Sequence, residues 1–148
     1  MKNTLAEDWK KEQKNRIMYD AAKECGDEAG MDAARAAHRQ LDEEIAAKGQ
    51  PYGRIYRMYA EMRERGNDCI DFNECIWEKE IPELVNALRA FDICKFSLSA
   101  TWSGTVNVAW DFQKHGCRLE GMREIKGHCK DFDSNDYEKV PAFIFCIE

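Results

Sequence analysis

The sequence predicts an α/β fold of the α+β kind: an N-terminal helical hairpin and a third helix, then a small mixed sheet in the order β-α-β-α-β-β. Three observations carry this. Apolar residues in positions 1–66 recur at helical spacings of three and four. After Cys94 the pattern changes to alternation, the period of a half-buried strand. Between these modes, Phe96–Ile125 (FSLSATWSGTVNVAWDFQKHGCRLEGMREI) reads as strand, Ser/Gly turn, helix, Gly turn, strand.

Thr4 and Glu7 have the spacing of a capping box, and a helix over about Leu5–Cys25 follows. Its apolar positions, Leu5, Trp9, Ile17, Met18, Ala21, Ala22 and Cys25, make a thin stripe that docks over part of its length. Gly26 and Gly30 bracket a break, with Asp27 as the cap of a second helix that ends at Lys48. Ala33, Ala34, Ala37, Leu41 and Ile45 line its seam, and alanine there permits close approach in an antiparallel hairpin. The third helix, about Pro51–Arg65, has an apolar face of Ile55, Met58, Tyr59 and Met62. Arg54, Arg57 and Arg65 form a basic edge flanked by Tyr52 and Tyr56.

The turn Gly66-Asn67-Asp68 divides the chain into a helical arm, residues 1–66, and an α/β module, residues 67–148. The module opens with a short strand at Cys69–Phe72. A helix over Trp77–Phe91 follows, with Pro82 in its first turn and Ile81, Leu84, Val85, Leu88 and Phe91 on its core face. Cys94–Ala100 is a strand burying Phe96, Leu98 and Ala100 and turning Lys95, Ser97 and Ser99 to solvent. Thr101 or Ser103 caps the next helix, whose Val106, Val108, Ala109, Trp110 and Phe112 are apolar on more than one side, predicting burial. Of the two tryptophans here, Trp102 is expected to be the exposed one. His115-Gly116 stops the helix. Strands at Arg118–Ile125, with Leu119, Gly121 or Met122, and Ile125 inward, and at Val140–Ile147 form a hairpin around a polar loop, Lys126–Lys139. The two helical crossovers predict parallel strands, and the closing hairpin adds an antiparallel pair.

The 148 residues carry a net charge of -6, unevenly placed. Residues 1–66 hold 13 basic and 13 acidic side chains, whereas residues 67–148 hold 9 and 15. This excludes a domain-wide basic footprint for nucleic acid and favours a basic protein partner. The charged N-terminal residues lack the apolar stretch of a secretory signal, and no apolar run is long enough to span a membrane, so a cytoplasmic protein is expected. The seven cysteines then read as reduced thiols, mostly small buried hydrophobes.

Chemistry-bearing motifs are sparse. His115, Cys117, His128 and Cys129 have no closed zinc-site spacing, and neighbouring strand residues point to opposite faces. Asp131-Phe132-Asp133-Ser134-Asn135-Asp136 has the acidic residues of a calcium loop but neither its glycine nor its closing glutamate, and reads as an acidic hairpin loop. Glycine-rich nucleotide fingerprints, H-E-x-x-H and G-x-S-x-G are missing from the sequence. No catalytic residue, metal or cofactor is expected, and the chain reads as a non-enzyme.

Leu88-Arg89-Ala90-Phe91, Ser99-Ala100-Thr101-Trp102-Ser103-Gly104, Ala109-Trp110, Gly116-Cys117-Arg118-Leu119-Glu120-Gly121 and Lys139-Val140-Pro141-Ala142-Phe143-Ile144-Phe145 carry a family likeness. Through them the C-terminal half resembles small proteins encoded on mobile elements and prophages of gut bacteria. In size and charge the chain is similar to anti-CRISPR proteins. The resemblance implies a protein-binding inhibitor of host defence whose partner is a CRISPR effector or another defence nuclease. The expected contact surface is acidic, with Glu74 and Glu78, Asp131, Asp133, Asp136 and Glu138 at its centre, Asp68, Asp71, Glu80 and Glu83 nearby, and Trp102 exposed. The alternative is a nucleic-acid-binding accessory protein using Arg54, Arg57, Arg63 and Arg65 with Tyr52 and Tyr56. A membrane partner is not expected. Homo-oligomerisation through residues 1–48 stays open, because alanine seams suit pairing within and between chains alike.

Overall fold

The computed structural model describes residues 4–148. They form an α+β fold of five α-helices and one four-stranded mixed sheet. The chain divides into two compact units at Arg54/Ile55. The division falls a dozen residues before the Gly66 turn because most of the third helix groups with the sheet unit, where Ile55, Tyr56 and Met58 are buried.

In the first unit, α1 (Thr4–Glu24) and α2 (Glu28–Ala47) form the antiparallel hairpin. Gly26, at φ +66, supplies the left-handed residue of the reversal, and the Asp27 amide donates to the Ala22 carbonyl at 2.8 Å. The Asp27 carboxylate then caps α2 by accepting from the Gly30 amide at 3.0 Å. Thr4 is itself helical rather than a cap, and its side chain hydrogen-bonds Tyr52. The buried stripe is thin: Leu5, Asp8 and Ala22 from α1, Ala34 and Leu41 from α2. Ile17, Met18 and Ala33, assigned to the seam from spacing, are exposed.

Asp8 is the polar anchor of this unit, and periodicity gives no sign of it. Its buried carboxylate accepts from the Tyr52 hydroxyl at 2.5 Å and the Lys48 ammonium at 2.8 Å. Burial and the Asp8 bond both push the Tyr52 phenol up. For Lys48, burial pulls the ammonium down, but Asp8 and Tyr52 outweigh it and the net direction is up. A buried charge is tolerated only when partnered in this way.

The helix α3 (Tyr52–Arg65) leads into the second unit. There β1 (Ile70–Phe72) is followed by a 3₁₀ turn, Glu78–Glu80, α4 (Ile81–Ala90), β2 (Lys95–Leu98), α5 (Thr105–Lys114), β3 (Cys117–Lys130) and β4 (Tyr137–Ile147). The sheet order is β1-β2-β4-β3. β1 and β2 are parallel across the α4 crossover, as expected. β2 and β3 are not neighbours: β4 lies between them, antiparallel to both. Within β4, only Phe143–Cys146 pair with β2, so Pro141, which has no N–H to donate, sits where β4 has β3 alone for a neighbour. The hairpin is longer than alternation suggested, since both strands continue through the stretch read as loop and leave only residues 131–136 between them.

One sheet face carries Phe72, Phe96 and Phe145, packed against Phe112 of α5. The Phe96 and Phe145 rings stack at 5.2 Å, and Phe72 meets Phe96 edge-on at 5.3 Å. The other face is buried as well, by register: Asp71 opposite Ser97, Ser97 opposite Ile144, and a cluster of Ile125, Ala142, Ile144 and Val140. This corrects the outward assignment of Ser97, which is fully buried. Its hydroxyl donates to Asp71 at 2.7 Å, and that of Ser99 donates to the other Asp71 oxygen at 2.5 Å. Burial raises the Asp71 pKa, while the two serines and the charge of Arg65, also buried, pull it back. Asp71 therefore belongs to the interior rather than to an acidic surface.

The thiol assignment also changes. Only Cys69 and Cys117 are buried, and Cys25, Cys75, Cys94 and Cys129 are exposed free thiols. Burial pushes the Cys117 thiol up to about 11. In β3, Leu119 and Met122 are exposed, because this edge strand is covered only near Cys117, Ile125 and Gly127. Among the described residues no helix is long and apolar enough to cross a membrane.

Candidate functional site

The most prominent surface of the second unit is the outer face of α5. Val108, Ala109 and Phe112 turn inward, which leaves the i, i+4 positions Val106 and Trp110 outside at 72% and 62% exposure. Trp102, in the loop before the helix, is 37% exposed. The composition of α5 predicts burial and a more exposed Trp102, but Trp110 is the more exposed tryptophan at 62%. The sheet supplies one wall for this helix, so only one of its apolar sides finds a partner.

Local structure holds this entry in place. The Thr105 hydroxyl donates to the Ala100 and Trp102 carbonyls at 2.9 and 2.8 Å, tying the loop to the first turn. Neither Thr101 nor Ser103 caps; the N-cap is Gly104, which has no side-chain cap bond. A Cβ at Gly104 would overlap the Trp102 ring, so glycine makes room for the indole.

Lys114 is the next residue on the same face. Its ammonium meets Asp111 at 2.9 Å and Glu78 at 3.8 Å. Beside Glu78 stands Trp77, 62% exposed, over an open groove of about 680 Å³ with Pro82 and His115. Trp77 is fixed from below: its amide donates to the Glu80 carboxylate at 2.8 Å, and the Glu80 amide to the Trp77 carbonyl at 2.9 Å. Large apolar side chains at this exposure, bordered by Glu78, Lys79 and Lys114, have the makeup of a protein contact.

The residues singled out from sequence are only partly brought together. Asp131, Asp133, Asp136 and Glu138 lie at the exposed end of the β3–β4 hairpin, around Phe132, which is fully exposed. There the Asp131 carboxylate accepts from the Asp133 amide at 3.1 Å, and Asp136 from the Tyr137 amide at 2.8 Å. The Tyr137 amide and the charge of Lys126 lower the Asp136 pKa. Glu74 and Glu78 lie elsewhere, on the connection from β1 to α4. Glu74 accepts from Arg57 at 2.9 Å, so two residues assigned to opposite surfaces neutralise one another. Asp68 is tied to Arg123, whose hydrogen bond lowers its pKa.

The arginine–tyrosine stripe on α3 is not assembled. Tyr52, Tyr56 and Arg65 are buried and Arg57 is paired, leaving Arg54 half-buried and Arg63 exposed. Bases cannot stack on buried rings. Among the described residues no group of three or more His, Cys, Asp or Glu stands close enough to hold a metal ion.

Residues 54–147 match the model of a family described as a domain of unknown function, DUF7698. The chain belongs to the DUF7698 family. The match begins at the residue where the compact units divide, so the DUF7698 domain is the sheet unit, and the α5 face with Trp77 lies wholly within it. The α1–α2 hairpin lies outside the match. No curated protein and no solved structure matches the chain.

Proposed function

We propose that this DUF7698 protein is a non-enzymatic, protein-binding inhibitor of a host defence nuclease, a CRISPR effector in the reading that the mobile-element resemblance suggests, acting in the bacterial cytoplasm. The observation that carries the protein-binding part is the exposure of Val106 and Trp110 on α5, with Trp102 at its entry and Trp77 nearby. Holding such side chains in water forgoes about 1.5–3 kcal/mol of burial for a large apolar group. Tryptophan is also the residue most enriched among those that dominate interface energies. The acidic balance of residues 67–148, 15 acidic side chains against 9 basic, favours a basic partner surface. CRISPR effectors hold nucleic acid in positively charged channels and fit that description.

The test is target-DNA cleavage by a panel of purified CRISPR effectors, with and without the full chain. Inhibition of one effector, lost in Val106→Asp/Trp110→Ala and kept when Asp131 and Asp133 are changed to Lys, supports the reading and its face. Loss through the hairpin charges alone moves the contact to that tip. An intact panel, with no complex on size-exclusion chromatography, sinks the effector assignment.

A further inference from the structure

The α1–α2 hairpin contains a cavity that plays no part in the proposal above. It measures about 300 Å³ and is lined by Asn15, Arg16 and Tyr19 of α1 and by Arg35, His38 and Arg39 of α2. Every charged side chain lining it is basic. In sequence these residues are scattered over 25 positions of a segment with no excess of positive charge. Antiparallel pairing gathers them, because positions 15, 16 and 19 share one face of α1 and positions 35, 38 and 39 share one face of α2. Buried Ala34, also lining the cavity, is small enough to leave the space open.

The arrangement is partly built in advance. The Arg35 guanidinium lies over the Tyr19 ring at 5.4 Å, within hydrogen-bond reach of its hydroxyl at 3.4 Å, and is anchored from its own helix by Asp32 at 3.0 Å. Arg16 lies 3.8 Å from Glu12 and His38 3.3 Å from Asp42, each within its own helix. Helix-surface pairs of this kind are weak, so they orient Arg16 and Arg35 at little cost to an incoming anion.

We propose that this cavity binds a nucleoside phosphate. Guanidinium groups recognise phosphate through forked, charge-assisted hydrogen bonds, and Arg16, Arg35 and Arg39 line this cavity. The Tyr19 ring, the arginine stems and Ala34 offer carbon surface on which a planar base can lie. The cavity is at the small end of the ligand-pocket range, suited to one nucleotide. Two sources share this chemistry, a free nucleotide and a nucleotide within a single strand.

Isothermal titration of the full chain at low salt with AMP, ATP, inorganic phosphate and a ten-nucleotide single strand separates them. Binding of mononucleotides, at least tenfold tighter than inorganic phosphate, identifies a free-nucleotide site. Binding confined to the oligonucleotide identifies a strand. In either case Arg39→Ala and Tyr19→Ala each weaken binding about tenfold, with the helical circular-dichroism signal unchanged. No heat with any probe at 1 mM, phosphate bound as well as nucleotide, or variants that bind like wild type would overturn the proposal. Because the α5 face takes no part, Val106→Asp/Trp110→Ala leaves this binding intact.

Discussion

Asp71 is a buried carboxylate held by two serine hydroxyls, with the charge of Arg65 acting on it. Its pKa is raised, chiefly by burial, so the fold favours its protonated form. The resulting stability is fully present below the ordinary carboxylate value of 3.8 and is lost as pH rises through the higher folded value. Urea midpoints of wild type and Asp71→Asn, compared from pH 4 to 7, should show wild type gaining on the variant as the pH falls. A constant difference would contradict the raised pKa. Cysteine reactivity makes a second residue-scale test. Cys25, Cys75, Cys94 and Cys129 should react with a maleimide at pH 7 in the native state, whereas Cys69 and Cys117 should need denaturant. Mass spectrometry of labelled peptides reads this directly, and early labelling of Cys117 would show its enclosure to be wrong. Hydropathy at single positions could not reveal either result. Ser97 has the alternation of a solvent-facing residue and is buried with its hydroxyl hydrogen-bonded to Asp71; Cys94 flanks a strand and is exposed.

At the scale of elements, α5 shows where periodicity stops being informative. Its inner side, Phe112 above all, closes the four-phenylalanine core, and its outer side has the same composition without a wall to pack on. Phe112→Ala should therefore cost about 3–5 kcal/mol, the range for deleting a buried aromatic side chain. Trp110→Ala, in a residue 62% exposed, should change stability by about 0.5 kcal/mol or less. Chemical denaturation of both variants checks the pair, and a large cost at Trp110 would mean that its face is already covered. The helices, the β1-α4-β2 crossover and the closing hairpin were all legible from period, glycine and proline. The position of β4 between β2 and β3 was not, because strand order depends on which edges meet in space. Alternation predicts shorter hairpin strands for a related reason: backbone pairing, rather than alternation of side chains, carries β3 and β4 through Lys126–Lys130 and Tyr137–Lys139.

For the molecule as a whole, charge separates the two proposed surfaces. The DUF7698 domain carries the acidic excess of residues 67–148, while three arginines are among the residues lining the hairpin cavity. A complex of the acidic module with a basic partner should weaken as salt is raised from about 0.05 to 0.5 M, a range over which the screening length falls severalfold to a few ångströms. A dissociation constant flat across that range would leave the exposed apolar side chains as the sole source of affinity. The sequence by itself determined the α+β class, the order of elements and the acidic balance of the C-terminal module, since each follows from local period or from composition. The tertiary structure alone decided which polar side chains are interior, which apolar ones stay in water, and which distant arginines share a cavity. Those outcomes depend on what each face meets once helices and strands have packed, and no run of neighbouring residues encodes that.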